Sequence, residues 1–241
     1  MIGFDPRTAV PAHWSLDPQD TLGLIFWTKD PRNLVQEANL IGQYRTKIHL
    51  TVTGWEEVER GAPNLRGSLV SLGATVRAFG AQNVTWRFSP VPLVADVVER
   101  FERIARIAQD NGLTSTYLSF LQPNDQLPET RTEEERIQTL RAIAEVAAQY
   151  GVHVRLCNED RLLAGTPGAY PNLASGVCAA PEDFDLGGQN PAPSEGCGCI
   201  LMIDPFTFNE SCGMGCQFCY AADKTLSPKK HNTTKKLKVL P

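Results

Sequence analysis

The sequence predicts an α/β fold, a partial TIM-like (β/α) barrel of about six parallel strands, as a single domain over residues 1–241. Short apolar segments rich in β-branched residues end at Gly, Pro or a polar residue, as buried strands do. Segments with helical periodicity separate them, and such alternation builds parallel sheets through right-handed crossovers. The 241 residues are 42% hydrophobic and 21% charged, enough for one sizeable core.

The elements follow in order along the chain. Residues 1–20, with Pro6, Pro11 and Pro18, are predicted to be irregular because each proline removes a backbone donor. The βα repeats span 21–157, and a loop segment containing cysteines spans 158–199. Residues 200–220 hold a last strand at 200–203 and a cysteine loop, and 221–241 form a basic tail. The other predicted strands are 22–27, 48–53, 84–88, 116–120 and 152–156.

Two helices are especially clear. In the first, Val98, Phe101, Ala105 and Ala108 share one face, and Asn111-Gly112 ends it. In the second, Thr132 and Glu135 form a capping box that opens a helix ending at Gly151. Helices are also expected before Ile41 and within 61–79.

A C-x3-C-x2-C loop near the C-terminus carries the most specific chemical signal. Its thiols belong to Cys212, Cys216 and Cys219, and this spacing is typical of iron-sulfur sites. Three cysteines leave one iron of a [4Fe-4S] cluster open to a substrate or cofactor. Zinc is an alternative, although its structural sites draw ligands as separated pairs, and unligated thiols are another.

Four further cysteines are Cys157, Cys178, Cys197 and Cys199. They could bind a second [4Fe-4S] cluster or a structural zinc, and either would hold the loop segment 158–199 in place. The alternative is a set of buried, inert cysteines. Seven cysteines in tight groups favour metal ligation in a reducing compartment, so we expect a cytoplasmic protein.

Charge and hydropathy narrow the possible partners. No apolar run approaches the roughly 18 residues of a membrane span, so no membrane partner is expected. The net charge of −4 argues against a protein that binds nucleic acid over its whole surface. The basic tail is either a solvated terminus or a phosphate contact.

Catalytic residues are expected where strands end, because the chemistry of (β/α) barrels gathers at the carboxyl ends of the strands. Lys29, Arg87 and Glu159 are the candidates there. Lys29 could instead be a solvated turn residue and Arg87 could hold a loop carboxylate. His49 and His153 lie inside predicted strands and are interpreted as hydrogen-bonded core histidines.

The cysteine loop resembles the cluster loop of radical S-adenosylmethionine enzymes, with Phe218 at the aromatic position near the adenine. The wider chain resembles a bacterial domain-of-unknown-function family related to these enzymes and to spore photoproduct lyase. The matching stretches are Cys197-Gly198-Cys199, Asp204, Cys219-Tyr220-Ala221, Phe26-Trp27-Thr28-Lys29-Asp30-Pro31, Leu50-Thr51-Val52-Thr53-Gly54, Val84-Thr85-Trp86-Arg87-Phe88-Ser89-Pro90 and Leu118-Ser119-Phe120.

This resemblance implies a function. The enzyme would use a [4Fe-4S] cluster and S-adenosylmethionine, bound through Phe218 and Tyr220, to generate a 5′-deoxyadenosyl radical. It would need a reductant such as flavodoxin or ferredoxin, and its substrate would be a nucleotide or nucleic acid. An iron-sulfur electron carrier or a structural zinc protein is the alternative.

The resemblance also implies an unusual strand order. Radical S-adenosylmethionine enzymes carry the cluster loop after the first strand, whereas this chain carries it after the last. A circular permutation would explain the difference, because a moved strand can still pair beside its usual neighbour in a barrel.

Overall fold

Seven parallel strands form one open sheet in the computed structural model, which describes residues 2–3, 21–121, 130–157, 159–166, 170–186, 198–200 and 214–218. The strands pair in chain order, each with the next. They are β1 Ile2–Gly3, β2 Leu24–Thr28, β3 Thr46–Thr51, β4 Val84–Phe88, β5 Ser115–Leu118, β6 His153–Leu156 and β7 Leu173–Ser175.

Helices connect the strands. The α-helices are α1 Arg32–Gln36, α2 Ala38–Ile41, α3 Leu65–Phe79, α4 Val97–Asp110, α5 Glu133–Gln149 and α6 Asp160–Ala164. Short 3₁₀ turns occur at Ala81–Asn83 and Pro181–Phe184. None of the helices in the described ranges is long and apolar enough to cross a membrane.

The main core lies between the helices and one face of the sheet. Alternate strand residues such as Phe26, Ile48 and Leu118 point to this face and are fully buried. Trp86 lies 5.0 Å from the ring centroid of Phe101, which packs from α4. Because side chains alternate along a strand, this packing determines which residues must point to the other face.

The opposite face of the sheet is largely polar. Alternation assigns to it Lys47, His49, Thr85, Arg87, Ser115, Tyr117, His153 and Arg155. At the β2 end of this face, Ile25 packs under Ala179, Phe184 and Ile200. The segments 177–186 and 198–200 therefore cover part of the polar face. Below, the polar face means the whole face of the sheet opposite the main core.

Most predicted elements are confirmed. The strand at 84–88 has the predicted bounds, and the other four central strands match to within two residues at each end. The capping box is present, with Thr132 Oγ1 accepting from Glu135 N at 3.2 Å and Glu135 Oε2 accepting from Thr132 N at 2.7 Å. The α/β class with a parallel sheet is confirmed as well.

Other predictions were wrong. The N-terminal segment predicted as irregular contains β1, and the segment 158–199 contains α6 and β7. The two strands were missed because they are two and three residues long, too short for a periodic pattern, and are held by pairing with β2 and β6. By contrast, the helix predicted within 61–79 is confirmed: it spans Leu65–Phe79, and the Asn64 side chain caps it by accepting from Gly67 N.

The interpretation of His153 as a core histidine was also wrong. His153 is exposed at the start of β6, on the polar face, and does not belong to the core. The predicted strand 200–203 falls outside the described residues except for Ile200, whose N donates to Ala179 O at 2.9 Å. The closure of the sheet into a barrel and the circular permutation stay predictions.

We predict that Thr132→Ala lowers the free energy of unfolding by about 1 kcal/mol, because the N-terminal amides of α5 lose an acceptor. The melting temperature should fall by about 2–4 °C. Thr139→Ala is the matched control, since Thr139 Oγ1 donates to Glu135 O within the same helix and Ala favours helices. Equal losses of unfolding free energy in Thr132→Ala and Thr139→Ala would contradict the assignment of Thr132 as the cap.

Candidate functional site

A buried ion pair lies where β2 and β3 end. Glu59 is 6% exposed, and its Oε1 accepts from Lys29 Nζ and from Thr53 Oγ1, both at 2.8 Å. Lys29 therefore points into the molecule. A buried carboxylate with two donors is held in one orientation.

The described part of the cysteine loop, residues 214–218, docks on this pair. Gly61 N donates to Met214 O at 2.8 Å, and Gln217 N donates to Val58 O at 3.0 Å. Cys216 forms a backbone bridge with Glu59 and is 5% exposed. Gly215, with φ +57°, takes the left-handed conformation that this turn requires.

Aromatic packing completes the docking. The Phe218 ring stacks on Trp55 with centroids 5.8 Å apart, and Lys29 Nζ lies 5.4 Å from the Phe218 centroid. Cys216, Phe218 and Lys29 thus share the carboxyl edge of the sheet. Cys212, Cys219 and Tyr220 lie outside the described residues.

A second group, the thiol cluster, consists of Cys157, Cys178 and Cys199. The sulfurs of Cys178 and Cys199 are 3.4 Å apart. The Cys178 thiol donates to Cys157 and, with Arg87, lowers the pKa of Cys157 to about 6 although burial opposes this. The same hydrogen bond raises the pKa of Cys178. These neighbours favour the thiolate form of Cys157, which is the form that binds metals and attacks electrophiles.

The metal interpretation of this cluster needs a further ligand. Within the described ranges, no three His, Cys, Asp or Glu side chains are arranged to hold a metal ion. Cys197, the fourth predicted ligand, lies outside those ranges but is only two residues from Cys199. Three of the four predicted thiols thus come together, although the first and the last are 42 residues apart in the sequence.

His49 lies deeper on the polar face. Its ring is 5.4 Å from that of Trp27 and 5.5 Å from that of Tyr117. His49 Nδ1 is buried and has no hydrogen-bond partner among the residues that the structure describes. Burial, with the charge of Arg87 second, lowers the pKa of His49 to about 3, so the imidazole is neutral. The predicted burial of His49 is confirmed.

The three predicted catalytic residues do not converge on one point. Lys29 lies with Phe218 and Cys216, whereas Arg87 lies against Cys157 and 6.0 Å from the Tyr117 centroid. Glu159 is buried, and its Oε1 accepts from Phe120 N at 2.8 Å. Their catalytic roles stay predictions.

Two residues of these groups escaped the sequence analysis, namely Glu59 and Tyr117. Polar residues at every second position of 47–51, 85–87, 115–117 and 153–155 were the available signal. A strand that alternates apolar and polar residues in a parallel sheet indicates that one face is not an ordinary core.

The fold and the two cysteine groups define a class: an α/β protein with an open parallel sheet whose thiols gather on its polar face and at its carboxyl edge. A family model described as a domain of unknown function, DUF1848, matches residues 5–221. The chain therefore belongs to the DUF1848 family.

The similarity of this chain to solved structures is weaker than its match to the family model. A xylose isomerase domain protein from Planctomyces limnophilus is 14% identical with a TM-score of 0.36, over 73% of this chain and 62% of that one. The IOLI protein, described with a binding zinc atom, is 11% identical with a TM-score of 0.40, over 78% and 66%. This chain spans less than two thirds of either protein. No curated protein matches it significantly.

We predict that His49 makes the protein less stable in acid. Its pKa is lower in the folded than in the unfolded state, so stability is lost as pH falls below about 6.5, the unfolded value. At pH 5.5 the loss should reach about 1.4 kcal/mol, because one pKa unit corresponds to that amount. His49→Phe should flatten this dependence in urea unfolding at pH 7.5 and 5.5.

The control for this experiment is His153→Gln, because His153 is exposed. It should leave the pH dependence unchanged. An unaltered pH dependence in His49→Phe would contradict the assignment.

We also predict that alkylation of Cys157 by iodoacetamide is half-maximal near pH 6 in reduced, chelator-treated protein. Cys178→Ala should shift the midpoint upward, because it removes the largest cause of the lowered pKa. Cys199→Ala should not shift it upward, since the Cys199 charge acts in the opposite direction. Mass spectrometry of the Cys157 peptide measures the rates, and a wild-type midpoint above 8 would refute the thiolate.

Proposed function

We propose that this protein is an iron-sulfur enzyme resembling the radical S-adenosylmethionine enzymes. The observation that carries the proposal is the docking of residues 214–218 at the carboxyl edge of a parallel sheet, against the Lys29–Glu59 pair. That edge is where the chemistry of βα folds gathers.

The donor set of the loop fits a [4Fe-4S] cluster held by three thiolates. Cys216 is buried, as a cluster ligand shielded from water would be, and Cys212 and Cys219 flank it at iron-sulfur spacing. When bound, the cluster would pass one electron to S-adenosylmethionine, which would split into methionine and the 5′-deoxyadenosyl radical.

The chain would supply binding, orientation and exclusion of water. Phe218, stacked on Trp55, would provide an apolar wall for the adenine, with Tyr220 as the further cofactor contact. Lys29 would attract the carboxylate of S-adenosylmethionine. Glu59 holds the side-chain ammonium of Lys29 in place. Glu159 would position the end of β5 through the Phe120 amide.

The thiol cluster, joined by Cys197, would hold a second [4Fe-4S] cluster or a zinc ion. The electron would come from a flavodoxin or ferredoxin. A substrate of the nucleotide or nucleic-acid class rests on the family resemblance alone. Arg87, between the thiol cluster and Tyr117, would face that substrate.

We predict that anaerobically purified protein, reduced with dithionite and given S-adenosylmethionine, forms 5′-deoxyadenosine by slow turnover. Cys216→Ala should abolish the product and remove about four irons. Lys29→Met should retain the iron but reduce the yield by about tenfold or more, because one charge-assisted contact is lost. Chromatography of the product and iron analysis provide the measurements.

Cys157→Ala is the matched control for the loop, since it should spare the iron of the 212–219 site. Zinc in place of iron after iron-replete anaerobic expression would overturn the proposal. Full iron content without any cleavage would favour an electron carrier instead.

A further inference from the structure

The two segments that cover the polar face run side by side at the thiol cluster. Gly198 packs against Val177, and a β-carbon on residue 198 would lie 2.9 Å from Val177 Cγ2. Two residues further along each segment, Ile200 N donates to Ala179 O at 2.9 Å. These contacts hold the two backbones at close range and in register with each other.

The two cysteines between these contacts meet at their sulfur atoms. Cys178 Sγ and Cys199 Sγ are 3.4 Å apart, although the residues are 21 positions apart in the sequence. Both residues are thiols in this structure. A disulfide bond is about 2.0 Å long, so the sulfurs must approach by about 1.4 Å. This distance is small because the two backbones already lie side by side.

The two thiols differ in their exposure. Cys178 is half-buried and lines a cavity of about 520 Å³ beside the amino ends of β4 and β5. Cys199 is 4% exposed and packs with Ile25 and Phe184. A small oxidant can therefore reach Cys178 through the cavity, where Cys199 is already in contact with it.

A metal ion is the other use of such thiols. Within the described ranges, no three His, Cys, Asp or Glu side chains are placed to hold one. Two sulfurs in contact, by contrast, need only each other to form a disulfide. Cys157 competes for this role, since Cys178 donates to it. The backbone contacts on both sides of the Cys178–Cys199 pair favour that pair.

We propose that Cys178 and Cys199 form a reversible disulfide when a peroxide oxidises the protein without metal in the thiol cluster. One thiol sulfur breaks the O–O bond of hydrogen peroxide and becomes a sulfenic acid, and one water is released. The other sulfur then displaces the sulfenic oxygen, which leaves as a second water with the second thiol proton. Two thiols and one peroxide thus give one disulfide and two waters. This site does not depend on the proposed radical chemistry.

The disulfide fixes the cover on the sheet. Ion pairs at 2.8 and 2.6 Å already attach Asp183 and Asp185 to Lys47 and Arg45, at the start of β3. Oxidation adds a covalent bond from this part of the cover to the segment 198–200. It also removes two sulfurs as metal ligands, because a metal binds the thiolate. The thiol pair is therefore either available to a metal or oxidised.

Mass spectrometry of the full-length protein tests the site. Anaerobically purified protein is treated with a chelator, reduced and desalted, and then receives one equivalent of hydrogen peroxide. Digestion with Glu-C under non-reducing conditions should give the Cys178 peptide linked to the Cys199 peptide as the main disulfide. Fragmentation within the second peptide distinguishes Cys199 from Cys197. Dithiothreitol should reverse the link.

The melting temperature gives an independent measurement. Oxidation should raise it by about 5 °C or more, because the disulfide closes a loop between residues 21 positions apart. Reduction by dithiothreitol should reverse this rise.

Variants locate the pair. Cys199→Ser should abolish both the linked peptide and the rise in melting temperature. Cys197→Ser is the matched control, two residues away, and should retain both. Gly198→Val should lower the yield of the linked peptide severalfold, because a side chain at this position meets Val177 and separates the segments.

Three results would overturn the proposal. They are a main disulfide between Cys157 and Cys178, an equal disulfide yield in Cys199→Ser and wild type, and oxidation to sulfinic acid without a disulfide. Iron content and 5′-deoxyadenosine formation are measured on the untreated protein. Those two measurements test the proposed function separately, since neither Cys178 nor Cys199 belongs to the cysteine loop 212–219.

Discussion

The two faces of the parallel sheet carry opposite chemistry, and the rest of the structure depends on this division. Parallel sheets are usually apolar on both faces. Here the helices bury only one face, through residues such as Trp86 and Phe101. The other face holds arginines, a neutral histidine and hydroxyl groups, which water, covering segments or ligands must satisfy.

The carboxyl edge of the sheet is organised by one buried carboxylate. Glu59 receives hydrogen bonds from Lys29 and Thr53, and its backbone receives the cysteine loop at Cys216. A loop far along the chain is thereby attached to the first strands of the sheet. Two backbone hydrogen bonds and the Phe218–Trp55 stack add to this attachment.

The thiol cluster links the covering segments to the sheet. Cys157 follows β6, whereas Cys178 and Cys199 belong to the segments that lie over Ile25. The positive charge of Arg87 and the hydrogen bond from Cys178 both favour the Cys157 thiolate. Electrostatics and packing thus act on the same three residues.

The sequence by itself determined the α/β class, the positions of β2 to β6 and the cap of α5, because these depend on local periodicity and on single capping residues. It also led to the prediction, still untested, that cysteines and strand-end residues carry the chemistry. Only the tertiary structure decided that Cys157, Cys178 and Cys199 meet, and that Lys29 and Arg87 serve different parts of the face. Contacts between residues far apart in sequence depend on register and on loop paths, which leave no local pattern. The short strands β1 and β7 were missed for the same reason, since each is specified by its partner strand and not by its own residues.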